Sequence, residues 1–446
     1  MPRLESPFQI GGVTVPNRLY RSPLLECAGN GSDAVDCLIS ELEPAAEAGA
    51  GLICQGATLV RGEGGCAAPG MTRVHDRAFV SELSRLTDAI HDHGGKIAVQ
   101  LEHGGLRSME TWHAGYRRAN PELEQLAVSS PPRLLRAMAA TGFLDYDAHV
   151  LTTDEVYELA ADFGRSAAWC ADAGYDVIHL AGANMGLIHQ FLSPFYNRRN
   201  DEFGDGVRFL EVILDEIRSR AGDVPVMTKV PAETAAPPVV RRHLSADEAV
   251  GICARLADYG YDALVPVEGS VFWDASIVKG QFPKRAWTDD RYQSGYAEAF
   301  GGQLRARLVA VGNWIESKVY DFEPAWNADL CRRVRRVVEV PVLCEGGIRG
   351  RDEMDRLLGD ACDAVGLGRP FYAEPRLPAR VLDGDRETRV VCESCNNCAV
   401  PQAAGANGVC RTPAVLQEAG RLRKAGAYER DTSESVDLAA SDVDRS

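Results

Sequence analysis

Four of the 13 cysteines in this 446-residue chain gather near its end: Cys392, Cys395 and Cys398 at intervals of three, then Cys410. A thiolate is a soft ligand, and a C-x2-C-x2-C-x11-C run can surround one compact inorganic centre. Four sulfur ligands suit a [4Fe–4S] cluster or a tetrahedral zinc. Two C-x2-C steps sharing a cysteine favour the cubane, since a zinc ribbon has two separated pairs. Structural zinc is the alternative. The other nine cysteines are scattered, too sparse for a disulfide scaffold.

A second constellation lies just upstream. Glu345-Gly346-Gly347 follows one apolar run, and Gly366-Leu367-Gly368-Arg369-Pro370 follows the next. Glycines at successive strand ends let backbone N–H groups close on a phosphate, and Arg369 adds a cationic fork. Taken singly, each pair of glycines could merely turn the chain. A third set consists of polar residues at other strand ends: Gln100, His179, Asn184 and Lys229. Each could be a satisfied polar group at a rim. Together, an amide, a cation and a phosphate cradle suggest a bound, polar, phosphorylated cofactor, and a lysine beside a flavin pyrimidine would stabilise the anionic reduced ring.

Something must bring these distant positions to one end of a fold. Short apolar runs recur as GLICQGATLV (51–60), KIAVQL (96–101), YDVIHL (175–180), VPVMTKV (224–230), YDALVPV (261–267), VPVLCEGG (340–347) and DAVGLG (363–368), with a further strand near 17–25. Amphipathic stretches separate them. One spans 79–93; another, 153–173, is opened by Thr152 with Glu155 and stopped by Gly174; a third is opened by Ser245 with Glu248 and closed by Gly260; a fourth lies near 352–358. Eight apolar strands alternating with helices predict a parallel sheet covered by helices, and at this length a closed (β/α)8 TIM barrel over a doubly wound sheet. The expected organisation is a barrel over 1–385, a cysteine segment over 386–415 and a charged, mobile tail over 416–446. Residues 103–150 and 269–325 are expected to be long loops at the chemical end.

Apolar residues at 45% provide a core, and 64 acidic against 48 basic residues give a net charge of −16. Such a surface repels nucleic acid and anionic lipid. No apolar run approaches the ~20 residues of a membrane span, and the opening MPRLESPFQIGG has no leader-like apolar core, so a cytoplasmic location is expected.

The stretches NRLYRSPL (17–24), GLICQGAT (51–58), VQLEHGG (99–105), GLIHQFLSPFYNRRNDEFGD (186–205) and 346–378 resemble the old yellow enzyme family of FMN-dependent NADH:flavin oxidoreductases. The cysteine segment resembles its iron–sulfur branch, typified by 2,4-dienoyl-CoA reductase and trimethylamine dehydrogenase. The resemblance covers residues 5–413 or so. It implies FMN at the carboxyl ends of the barrel strands, with Pro23 and Leu24 at the ring and Ala57 close to it. Gln100 would bond the pyrimidine edge, Lys229 would sit near N1 and O2, and Gly346, Gly347, Gly368 and Arg369 would hold the phosphate.

The departures matter as much. The family usually has arginine where Lys229 stands. Its two carbonyl-gripping residues align with Ala181 and Asn184, so one anchor survives. Its proton-donating tyrosine aligns with Gly186. His179 shares a strand face with Ala181 one layer deeper, and reads either as a replacement donor or as a core histidine. The 269–325 segment, with Trp273, Trp287, Tyr292, Tyr296 and Trp314, is expected to form a substrate lid and supply the acid, although its aromatics could equally be packing. No glycine-rich dinucleotide fingerprint follows the cysteines, unlike in the branch members named above. The cluster is therefore expected to exchange electrons with a separate protein, or to be structural while NAD(P)H reduces FMN directly. The expected function is reduction of an activated C=C bond in an enoate, enone or enoyl-CoA by hydride transfer from FMN N5. The alternatives are an amine dehydrogenase or demethylase and a non-catalytic FMN/iron–sulfur electron carrier. A homo-oligomer is expected from the family's habit.

Overall fold

The computed structural model describes residues 2–142, 144–234, 236–269 and 279–429. A hairpin opens the chain, β1 (Phe8–Ile10) pairing antiparallel with β2 (Val13–Val15). Eight parallel strands then form one sheet: β3 (Leu19–Arg21), β4 (Leu52–Leu59), β5 (Lys96–Glu102), and, after the short pair β6 (Gln125–Ala127) and β7 (Ala148–Val150), β8 (Val177–Leu180), β9 (Val226–Ala232), β10 (Ala263–Glu268), β11 (Leu343–Glu345) and β12 (Ala364–Leu367). Their spatial order is β10-β9-β8-β5-β4-β3-β12-β11, and a parallel bridge between Leu264 and Val342 joins the two ends. This is the expected TIM barrel.

The alternation of side chains explains why these runs read as continuously apolar. Leu52, Cys54, Ala98, Met227, Val265 and Leu343 fill the barrel interior, while Ile53, Ile97, Ile178, Leu264 and Val365 join the layer beneath the helices. Both faces are buried, so both alternating sets must be apolar. The hairpin plugs the amino end: Phe8, Ile10 and Val15 belong to the interior cluster. A Cβ on Gly11 would come within 2.7 Å of Asp262 Oδ1 at the foot of β10, and its φ of +52° is one that glycine adopts freely.

Both expected capping boxes form, Thr152 with Glu155 and Ser245 with Glu248, on the helices Thr153–Asp172 and Ala246–Tyr259. The stretch expected as one helix over 79–93 is two, Arg77–Glu82 and Ser84–His91, parted at Leu83. The 269–325 segment is not a plain loop. Lys284–Thr288, Asp290–Phe300 and Gln303–Val319 are helices, and Trp287 packs on Tyr296 at 4.9 Å and Phe300 at 6.1 Å. After the barrel, the cysteine segment contains a short 3-10 turn, Val400–Ala404. Pro413–Lys424, mostly within the stretch expected to be mobile, is a helix with Val415 and Ala419 buried. Trp273 lies outside the described residues. Among those described, no helix is long and apolar enough to cross a membrane.

Candidate active site

The carboxyl ends of the strands surround one cavity of about 1120 Å3, its open mouth included. That is room for a flavin-sized cofactor with a substrate beside it. Every residue expected from the sequence to hold the cofactor lines it: Pro23 and Leu24 after β3, Ala57 in β4, Gln100 in β5, Lys229 in β9, Gly346 and Gly347 after β11, and Gly368 and Arg369 after β12. Asn184 lines it too. His179 does not.

Local backbone geometry brings these side chains round. The β4–β5 register slips by one residue between Gln55 and Thr58, a bulge that turns Ala57 towards the cavity instead of the helices. Beside it, a Cβ on Gly56 would fall 1.2 Å from Leu24 O, so only glycine lets the β3 segment lie this close. Asn184 and Met185 both have left-handed backbones, with φ of +69° and +64°. Two such non-glycine residues in succession are unfavourable unless the surroundings impose them. Here His189 Nδ1 accepts from Met185 N at 3.0 Å, and the other ring nitrogen meets Glu233 Oε1 at 2.9 Å. Glu233 also accepts from Ser193 Oγ at 3.0 Å and Leu244 N at 2.6 Å. This buried network pins the Asn184 turn.

The electrostatics are uneven around the cavity. Lys229 Nζ donates to Glu345 Oε1, and Tyr20 OH donates to Glu345 Oε2 at 3.4 Å, so the ammonium expected beside the ring is shared with a carboxylate. Arg369 donates to Asn396 Oδ1 and, at 2.8 Å, to Lys279 O. Arg349, which the sequence reading passed over, lines the cavity as well; burial pulls its guanidinium down to about 10. Glu102 is a second unforeseen lining residue, and burial pushes its carboxyl up from the usual range against the pull of Arg107 and Lys229. Strand periodicity carried that signal, since Glu102 stands two residues after Gln100 and so on the same face.

Among the lining residues, Gln100 Nε2, Glu102 Oε1, Asn184 Oδ1, Trp326 Nε1 and Arg349 Nε are buried without a hydrogen-bond partner among the described residues. Buried polar atoms are almost always paired in folded proteins. A group of such atoms around one cavity fits a polar cofactor such as FMN with a polar substrate beside it. His179 stays outside this set. It sits on β8 between Gln100 and Met227 in register, 1% exposed, with both ring nitrogens unpartnered among the described residues. Burial and the Lys229 charge hold it well below its usual range, so it is a neutral histidine, and it is absent from the cavity wall. Trp287, Tyr292, Tyr296 and Trp314 are likewise absent from the cavity wall, so the expected lid does not supply the acid from them.

The cysteines gather near Arg369, at one end of the cavity. The Cys398 thiol, pushed up to about 12 by burial, feels Cys392, Cys395 and Cys410 as neighbouring charges and Arg369 as an opposing one. Cys395 Sγ and Thr412 Oγ1 share a hydrogen bond of 2.9 Å, and Asn397 Nδ2 donates to Cys395 Sγ at 3.5 Å. Among the described residues, no group of three or more His, Cys, Asp or Glu side chains is arranged to hold a metal ion. The thiols converge, but not as a ready-made seat for one.

The model of the NADH:flavin oxidoreductase / NADH oxidase family matches residues 3–314. A metal reductase from Desulforamulus reducens is 27% identical over 403 residues, 89% of this chain but 51% of that protein, so the chain spans about half its length. A 4,4'-dithiodibutanoate disulfide reductase from Rhodococcus erythropolis is 26% identical over 440 residues, 94% of this chain and 98% of that one. The fold is similar to a solved 2-naphthoyl-CoA reductase bound to 2-naphthoyl-CoA, with a TM-score of 0.69 and 17% identity, covering 94% of this chain and 58% of that one.

Proposed function

The chain belongs to the NADH:flavin oxidoreductase / NADH oxidase family and is a flavin-dependent oxidoreductase, and from that premise we propose that it reduces an activated C=C bond of an enoate, enone or enoyl-CoA type. The observation that carries this reading is the position of Asn184, held by its left-handed turn in the wall of the same cavity that Gln100 and Lys229 line. When bound there, FMN supplies two-electron hydride chemistry, with NAD(P)H as the source of electrons. Gln100 and Lys229 would receive its pyrimidine edge. Gly346, Gly347, Gly368, Arg349 and Arg369 would hold its phosphate, and Pro23, Leu24 and Ala57 would flank its ring. Asn184 would donate its amide N–H to the substrate carbonyl, stabilising the negative charge that develops on oxygen as the alkene is reduced.

The C-x2-C-x2-C-x11-C spacing supports a [4Fe–4S] cluster on Cys392, Cys395, Cys398 and Cys410. The test uses anaerobically purified holoenzyme under matched conditions. Enones, enoates and an enoyl-CoA are offered to the reduced protein, and secondary and tertiary amines to the oxidised protein. Turnover of an alkene supports the reading. Oxidation of amines with no alkene reduced would replace it with the amine dehydrogenase reading. Iron and acid-labile sulfide, about four of each per chain, are expected on the same sample, and zinc in their place would make the cysteine segment structural.

A further inference from the structure

We propose that Glu102 is the general acid of this cavity, the group that delivers a proton to the substrate α-carbon while Asn184 holds the carbonyl. The proposal rests on the alkene reading above and supplies the proton donor that reading lacks.

Glu102 closes β5 and is 6% exposed. Its Oε1 is buried and has no hydrogen-bond partner among the described residues. The other acid in the cavity wall, Glu345, already accepts from Lys229 and Tyr20, and the phenol of Tyr372 donates to Leu25 O at 3.1 Å. His179 does not reach the cavity. Glu102 is thus the lining acid with an uncommitted oxygen.

Its direction is fixed by a glycine. A Cβ built on Gly186 would lie 3.7 Å from Glu102 Oε1, 3.5 Å from His103 O and 3.8 Å from Ala181 O. The carboxyl therefore faces the space left by the missing side chain at 186, two residues from Asn184. A carbonyl held by Asn184 has its α-carbon one bond away, so a proton offered from this side reaches the atom that needs it.

The surroundings favour the protonated form. Burial pushes the Glu102 carboxyl up, and the opposing charges are Arg107, from the turn Gly105–Arg107, and Lys229, from β9. Lys229 is paired with Glu345, which blunts its pull. The adjacent His103 is held at about 3 by burial and by Arg61 and Arg73, so it stays neutral. The turn 181–186 contributes no titratable group.

The step balances simply. The β-carbon receives a hydride, two electrons and one hydrogen, from the reduced flavin, and the C=C π bond breaks. The electron pair released at the α-carbon takes the proton of Glu102: a C–H bond forms, the carboxyl O–H breaks, and the carboxylate regains its proton from water at the open mouth.

The test separates hydride from proton. Reduced holoenzyme is mixed anaerobically with a nitroalkene, whose hydride adduct is a near-ultraviolet-absorbing nitronate that persists without an acid, and with an enone. Glu102→Gln should reoxidise its flavin with the nitroalkene within about tenfold of the wild-type rate, yet release nitronate where the wild type releases nitroalkane. Its enone turnover should fall on the order of 100-fold or more, with Glu102→Asp restoring part of it on a shifted pH profile. Infrared spectra of the wild type at neutral pH should show a protonated carboxyl band that Glu102→Gln lacks. Release of nitroalkane by Glu102→Gln at the wild-type rate, or an Asp variant with an unmoved pH profile, overturns the proposal. A wild type whose flavin no alkene reoxidises overturns the alkene reading itself, and the acid role with it.

Discussion

Arg349 Nη2 donates to Ser394 Oγ at 2.7 Å, joining the cavity wall to the loop that carries Cys392, Cys395 and Cys398. Arg369 makes a parallel link to Asn396. Ser394 and Asn396 both have left-handed backbones, φ +57° and +60°, so the cysteine loop takes its shape in part from these two arginines of the cavity wall.

Loss of either arginine should therefore weaken two things at once. Arg349→Ala is expected to lower FMN affinity about tenfold or more, the scale of a charge-assisted hydrogen bond to an anion. It should also lower the iron content of purified protein. Flavin fluorescence titration and metal analysis on the same preparation check this. An unchanged iron content would show the Ser394 bond to be incidental.

On the proposed reading the Lys229–Glu345 pair would set the charge beside the flavin ring. Glu345→Gln leaves the ammonium uncompensated and should make the flavin easier to reduce, by about 1 kcal/mol or more for a buried charge. Lys229→Gln should move the midpoint the other way. A spectroelectrochemical titration reads both, and two shifts of the same sign would refute the pairing.

His189 and Glu233 hold the Asn184 turn, and on the proposed reading they would act on the substrate through it. Either His189→Ala or Glu233→Gln should lower kcat about tenfold while leaving flavin affinity within threefold, because a misplaced anchor costs chemistry before it costs cofactor binding. Steady-state kinetics beside FMN titration separate the two.

Burial of Glu102 carries a pH signature. Its folded-state pKa lies above that of the unfolded chain, near 4.3, so the fold favours the protonated form. Below the unfolded value neither state is charged and nothing is lost. As pH rises from there through the folded value, the unfolded chain ionises first and the native state loses stability, about 1.4 kcal/mol per unit of separation. Glu102→Gln cannot ionise. Its melting temperature relative to wild type should rise between pH 5 and pH 8, and a difference constant with pH would contradict a protonated buried carboxyl.

The parts of this molecule that could be read in advance are those where one local rule decides. Strands buried on both faces announce a parallel barrel, and the boxes at Thr152 and Ser245 mark true helix starts. Gln100, Lys229 and the glycines after β11 and β12 were legible as polar or flexible residues at strand ends. Glu102 was passed over although alternation put it on the Gln100 face, because a buried carboxylate runs against the usual preference for exposure. Arg349 lies in a loop whose direction no periodicity gives. Trp326 and Asn327 lie just beyond the 269–325 segment, where no periodicity gives their direction, and they pack on the glycines: a Cβ on Gly346 would meet Trp326 at 2.7 Å and Asn327 at 2.8 Å. The break at Leu83 was invisible because apolar spacing continues across it. The helices over 284–319 were missed because few of their side chains are buried, Ala286, Tyr296, Ala299 and Ala306 among them.

The one-residue slip between Gln55 and Thr58 has a consequence for how this site can change over generations. In a regular strand, enlarging a side chain on the cavity face disturbs the layers of the barrel below it. The bulge uncouples Ala57 from that alternation, leaving Leu52 and Cys54 to fill the interior while Ala57 lines the cavity. Position 57 is thus a place where the shape of the accepted molecule can drift under selection while the scaffold keeps its stability.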